Sequence, residues 1–228
     1  MKRNQIILAT LMAAGMLATT AKAQYSNPFN TTSSPFRFDY GTATATATAT
    51  ATWASGPTFD AGGSALSGSA KLSWTWNHVA DGDGSAAFTA DILGSPGQSF
   101  VGGTLSFDLY LASTSTAGVS GDYGYFQVVA RNTDAYSFDD TGVGNGLNTF
   151  VTAPNQWTHV SIPLNATTGN LIRAITIQDY GDLGRNINGP ETIYIDNLAL
   201  TPAPEPSTIA LAGLGLAGLF GVRRFRRN

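Results

Sequence analysis

Between residues 70 and 200 the chain alternates apolar and polar side chains in short runs, separated by clusters of Gly, Asp, Asn, Pro and Ser. A period of two is that of a half-buried strand, because successive side chains of extended backbone point to opposite sides. The runs predict strands over 70–77, 85–93, 104–112, 123–132, 149–152, 156–165, 172–180 and 192–200. Leu105, Phe107, Leu109 and Leu111 form one apolar face, and Phe126, Val128 and Ala130 a second. Val160, Ile162 and Leu164 form a third, and Ile175 with Ile177 a fourth. Trp74 and Trp76 share a face with Leu72 and are expected in the core. No window here holds a helical period, so many short strands predict an all-β sandwich or barrel.

Upstream the pattern is less decided. Residues 24–35 are rich in Ser, Thr, Asn and Pro and read as an irregular lead-in. Residues 42–52 alternate Thr and Ala strictly, which suits either a strand or a low-complexity linker. Residues 56–68 read as a loop.

The two ends break the strand pattern altogether. Lys2 and Arg3 precede an apolar stretch over 6–17, and Ala21-Lys22-Ala23 is a small-x-small cleavage site before Gln24. That order is a secretory signal peptide, residues 1–23, which makes the Sec translocon and signal peptidase the expected partners. At the other end stand Pro204, Glu205 and Pro206, an apolar run over 208–222, and then Arg223, Arg224, Arg226 and Arg227. The prolines stop any arriving strand or helix, and the arginines hold to the cytoplasmic side of a membrane. As a helix the run spans about 22 Å against a hydrocarbon core of about 30 Å, which fits a transient anchor better than a permanent one. This ordered triplet, span and basic cluster resembles the PEP-CTERM sorting signal of exported bacterial proteins. The resemblance implies an exosortase as partner, a cut near residues 204–207, transient inner-membrane anchoring, and final residence at the cell surface or in the extracellular matrix. The chain then divides into signal peptide, lead-in (24–35), β-domain (36–201), Pro-rich linker (202–207) and a hydrophobic helix with a basic tail (208–228).

Charge and composition narrow what the β-domain does. Residues 24–203 carry five cationic side chains against thirteen aspartates and Glu191, a net of −9. Nucleic-acid binding needs clustered Lys and Arg, so nucleic acid is not an expected partner. There is no cysteine, which removes disulfides, thiol catalysis and cysteine-bound zinc. Two histidines and no opposed carboxylate pair, nucleophile elbow or phosphate loop make an enzyme unexpected.

Three segments of the domain look familiar. Residues 69–76 (SAKLSWTW), 156–164 (QWTHVSIPL) and 193–200 (IYIDNLAL) are similar to strands of the jelly-roll sandwiches of carbohydrate-binding modules and laminin-B-like domains. The resemblance implies an antiparallel jelly-roll-like sandwich. It also implies a structural calcium ion ligated by the closing-strand aspartate, which here is Asp196; the resemblance leaves the partner ligands open, and Asp39 is one guess. The Asp81-Gly82-Asp83-Gly84 stretch reads as a turn, since the remaining ligands of a calcium loop are missing.

The polar faces of the strands hold the candidate ligand site. Asp108 and Tyr110, Tyr125 and Gln127, Trp157 and His159, and Gln178 and Tyr180 all alternate away from the apolar faces. Aromatic rings beside amides and carboxylates suit sugars, which stack on rings and hydrogen-bond at their edges. If the four strands share a sheet, the rings line one shallow groove. The reading is an exported, non-enzymatic surface protein that binds exopolysaccharide. The alternative is a structural or adhesive biofilm protein with no small ligand, and a polysaccharide hydrolase stands third.

Overall fold

The computed structural model describes residues 25–203 except 31–32, 43–44, 46–47, 56–60, 63–66, 78–83, 95–96, 99, 101, 113–114, 116, 118–122, 132–144, 151–153, 165–170 and 182–186. The signal peptide, Asp81, Gly82 and Asp83 of the DGDG turn, and the whole C-terminal tail from Pro204 lie outside the described residues. Eleven strands follow one another among those described. They are β1 (Tyr25–Asn27), β2 (Phe36–Gly41), β3 (Thr50–Ser55), β4 (Gly68–Asn77), β5 (Ser85–Asp91), β6 (Thr104–Leu111), β7 (Tyr125–Arg131), β8 (Asn145–Phe150), β9 (Trp157–Pro163), β10 (Ala174–Tyr180) and β11 (Asn188–Thr201).

The strands form two antiparallel sheets packed face to face, an all-β sandwich as the alternation predicts. The first sheet runs β3-β4-β11-β6-β9, with β1 beside the end of β11, and the second runs β2-β5-β10-β7-β8. The core lies between them. Leu72, Trp74, Trp76, Phe107, Leu109, Ile193 and Ile195 enter from the first sheet, and Phe88, Phe126, Val128, Ile175 and Ile177 from the second. Trp74 stacks against Trp76 at 5.9 Å and against Phe88 at 5.4 Å, which ties the two sheets together through aromatic contacts.

Three upstream expectations change. The lead-in contributes β1, which pairs with Leu198–Leu200 of β11, and Phe29 is fully buried with its carbonyl accepting the Trp53 indole N–H at 2.8 Å. The segment is short and polar in composition, so its two anchoring rings, Tyr25 and Phe29, make no periodic signal. Residues 36–41 are a further strand, β2, that the pattern did not mark. The Thr-Ala repeat is split: Ala45 and Thr48 are helical, Ala49 N–H donates to the Ala45 carbonyl at 2.8 Å, and strand begins only at Thr50. Alanine favours helix and threonine favours strand, so this repeat has no strong preference and the surroundings decide.

The largest difference concerns the groove. Strands β6 and β9 belong to the first sheet, while β7 and β10 belong to the second. Alternation assigns each side chain to a face, but partners such as β6 and β11 are too far apart in sequence for it to assign a sheet. The expected single groove is therefore two separate surfaces, one on each outer face.

Candidate functional site

The outer face of the second sheet carries two rows of side chains set by strand register. Tyr125 on β7 lies opposite Tyr180 on β10, which lies opposite Ser85 on β5. In the next row Gln127 faces Gln178, Gln178 faces Ala87, and Ala87 faces Tyr40 on β2. The Tyr125 and Tyr180 rings sit 6.4 Å apart, and the Tyr180 hydroxyl donates to Gln127 Oε1 at 3.4 Å. Tyr125, Tyr180 and Gln127 are half-buried, whereas Gln178 is 1% exposed and belongs to the floor. Tyr40, at 40% exposure, is the one exposed large apolar side chain among the described residues. Two strand spacings, about 10 Å, and one step of the register separate it from Tyr180, with the buried Ala87 and Ser85 on the intervening strand β5.

Tyr40 escapes a sequence reading for a definite reason. Phe36 and Phe38 face inward, so strict alternation would turn Tyr40 inward too. A register shift between Phe38 and Tyr40 places Asp39 as an extra residue and sends Tyr40 to the outer face. Asp39 then accepts the Thr89 hydroxyl at 2.8 Å on that same outer face.

The outer face of the first sheet is built differently. Trp157 on β9, Tyr110 on β6 and Tyr194 on β11 form a row across three strands, with ring centroids 5.3 and 5.8 Å apart. Tyr110 and Tyr194 are buried within this cluster and Trp157 is half-buried. Burial and the neighbouring Tyr110 raise the Tyr194 hydroxyl above its ordinary range. One row along, Asp108 accepts hydrogen bonds from both sides. His159 Nδ1 lies 2.7 Å from its Oδ1, and Asn197 Nδ2 donates to its Oδ2 at 2.7 Å. Tyr194 alternates away from Ile193 and Ile195 and was legible in principle. Asn197 was not, because it sits at φ 50° beside a register shift in β11.

Asp196 is fully buried, and its oxygens accept backbone N–H groups, from Ala61 at 2.8 Å and from Asn197 at 2.7 Å. The carboxylate thereby holds the Ala61 backbone against β11. Asp39 belongs to the second sheet, so the two aspartates do not converge. Among the described residues no three His, Cys, Asp or Glu side chains gather as metal ligands do.

Asp179 and Glu191 are the close carboxylate pair of the described interior. Asp179 shares the inward face with Phe126 and Ala86, and Glu191 shares it with Trp74. Both are buried between the sheets at one end of the sandwich. Burial first, and then the Asp179 charge, push Glu191 up to about 10, against a smaller opposing effect of the Ser115 hydroxyl. Glu191 is therefore a neutral acid at neutral pH.

Strand β11 runs out at Thr201, and Pro202, Pro204 and Pro206 follow at alternate positions before the apolar run and the arginines. The segment from 202 to 227 matches the family model described as the PEP-CTERM protein-sorting motif. The chain ends in a PEP-CTERM signal. Such a signal implies export, handling by an exosortase, and a surface location. The PEP-CTERM match covers the tail, and no curated protein matches the chain. Among the described residues no helix is long and apolar enough to cross a membrane.

The body upstream of the PEP-CTERM segment is similar to several solved β-sandwiches. One is a module from work on promiscuous carbohydrate-binding modules of the β-sandwich superfamily, at 18% identity, with a TM-score of 0.49, covering 80% of this chain and 63% of that one. Another is the family 11 carbohydrate-binding module of Clostridium thermocellum solved with a mixed-linked tetrasaccharide, at 15% identity, with a TM-score of 0.46 and coverage of 81% and 98%. A third is the K3 cleaved adhesin domain of Lys-gingipain from Porphyromonas gingivalis, at 15% identity, with a TM-score of 0.44 and coverage of 80% and 100%.

Proposed function

We propose that this protein is a non-catalytic, exosortase-sorted component of the extracellular matrix whose β-sandwich binds exopolysaccharide. The observation that carries the reading is the outer face of the second sheet, where the half-buried rings of Tyr125 and Tyr180 adjoin Gln127 and the exposed ring of Tyr40 lies further along the same face. Sugar rings present apolar faces to tyrosines and hydroxyl edges to amides, so both halves of the recognition chemistry are on one surface. The buried position of Asp179 and Glu191 supports a non-catalytic role, since a polymer strand does not reach them. A hydrolytic carboxylate pair must flank the scissile bond.

Each stacked ring contributes about 1 kcal/mol, so a single site is weak, in the millimolar to micromolar range. Weak sites suffice on a polymer because repeated sugars engage many copies at once. Tyr125→Ala and Tyr180→Ala are each expected to lower retention on the producer's own exopolysaccharide about fivefold, and the pair to lower it further, with melting temperature little changed. Folded variants with unchanged retention would sink the reading in favour of a structural surface protein without a sugar ligand.

Processing belongs to the same proposal. Export removes residues 1–23 at the Ala21-Lys22-Ala23 site, the apolar run holds the chain briefly in the inner membrane, and the exosortase releases the body near 204–207. Intact mass measurement of surface-extracted protein is expected to give a chain starting at Gln24 and ending near the Pro204-Glu205-Pro206 triplet. Recovery of the full-length chain from the surface contradicts this.

A further inference from the structure

We propose that the sandwich is bivalent, with a second polysaccharide site on the outer face of the first sheet, so that one molecule cross-links two polymer strands. The inference rests on the polysaccharide-binding reading of the second sheet and extends it. Its basis is the way the topology distributes the aromatic side chains. Tyr40, Tyr125 and Tyr180 lie outside one sheet, and Trp157, Tyr110 and Tyr194 outside the other. The sheets stack about 10 Å apart with a closed apolar core between them. The two outer faces therefore point in opposite directions, and a strand lying on one does not touch the other.

The second surface has the parts that sugar recognition needs. Trp157 carries the largest aromatic ring system, Tyr110 packs against it at 5.3 Å, and Tyr194 backs Tyr110 in turn at 5.8 Å. Beside the indole, Asp108 fixes His159 and Asn197, each at 2.7 Å. The His159 side chain is 64% exposed, so its outer ring nitrogen remains open to solvent. Asn197 keeps its carbonyl oxygen as an acceptor while its amide nitrogen is held by Asp108. A half-exposed indole bordered by donors and acceptors at fixed positions matches a pyranose with its neighbouring hydroxyls. Because both polar side chains are held by a buried-edge carboxylate, little side-chain freedom is lost on binding.

Bivalency makes a prediction that single-site binding does not. Wild-type protein should bind about two oligosaccharide fragments of the producer's exopolysaccharide, one on each face, and should raise the viscosity of a solution of the intact polymer. Trp157→Ala should reduce the stoichiometry to about one and abolish the viscosity gain while polymer retention persists through the second sheet. The combination of Tyr125→Ala and Tyr180→Ala should give the mirror result, and all three substitutions together should remove retention. His159→Ala, at an exposed position, repeats the first-sheet test with little risk to folding, and melting temperature and light-scattering mass are followed throughout. Cross-linking that survives both Trp157→Ala and His159→Ala overturns the second site and leaves the first intact. If the variant carrying all three substitutions stays folded and retains polymer as wild type does, polysaccharide binding itself fails, and bivalency with it.

Discussion

The melting temperature of this protein should rise as the pH is lowered from about 8 to about 5, and Glu191→Gln should flatten that dependence. Most soluble proteins lose stability on acidification because their paired carboxylates must take up protons. Here the interior carboxylate works the other way. Glu191 is buried between the sheets with Asp179 beside it, and its carboxyl is pushed from 4.5 up to about 10. The unfolded chain releases that proton near 4.5, whereas the folded chain holds it to about 10. Between those values the native state binds the extra proton, so its stability falls as pH rises, by at most about 1.4 kcal/mol per pH unit. A glutamine keeps the shape and stays neutral at every pH, so the variant should be more stable than wild type near pH 8 and similar near pH 5. Thermal melts across that range, on both proteins, make the measurement. A wild-type melting temperature that climbs steadily with pH would show that Glu191 is ionised in the fold, held by a cation or by a positively charged side chain.

Truncating Trp76 should destabilise the sandwich by about 3–5 kcal/mol, the cost of deleting a buried indole from a packed interior. Its indole is 2% exposed and is seated against two glycines, Gly84 and Gly181, which are joined by a backbone hydrogen bond of 3.0 Å. A Cβ built at Gly181 would come within 2.7 Å of the Trp76 ring, and one at Gly84 within 3.0 Å. The glycines are therefore required by a close approach, and Gly181→Ala should cost about 1–3 kcal/mol by overpacking. Trp76→Phe fills most of the space and should fall between wild type and Trp76→Ala. Denaturant unfolding of the three variants gives the order directly, and a Trp76→Ala midpoint equal to wild type contradicts the packing.

Side-chain alternation made most of this fold legible. Trp74, Trp76 and the Leu105-to-Leu111 set lie in the core where the period of two puts them, because a half-buried strand leaves that period no freedom. Sheet membership was not legible, since it depends on which distant strands pair, and so Tyr110 and Trp157 parted from Tyr125 and Tyr180. The other omissions sit at register shifts. Tyr40 follows one in β2, and Asn197 lies in one in β11, and each shift reverses the face that counting from the preceding residues would assign. Gln178 alternates outward as its neighbours do, yet it is buried, because alternation reports direction and not what lies above a side chain. The sorting motif over 202–227 was legible from residue order alone, because it is a linear pattern of prolines, an apolar run and arginines.

Strand β11 also decides how the body responds when it is pulled. It is the longest strand, fourteen residues, and it lies inside the first sheet with β4 and β1 on one side and β6 on the other. The sorting segment begins one residue beyond its end, so tension applied through that segment enters the sheet along the axis of an interior strand. Lengthwise extraction loads the ladder bonds on both edges together, in shear, whereas an edge strand pulled from one end would peel bond by bond. The polymer contacts proposed on β6 and β9 lie in the same sheet, so for as long as the chain is held by its C-terminal segment, tension between that segment and polymer crosses the β11–β6 ladder. A sandwich wired in this way yields late and all at once, the mechanical behaviour of a stiff link in a soft, hydrated network.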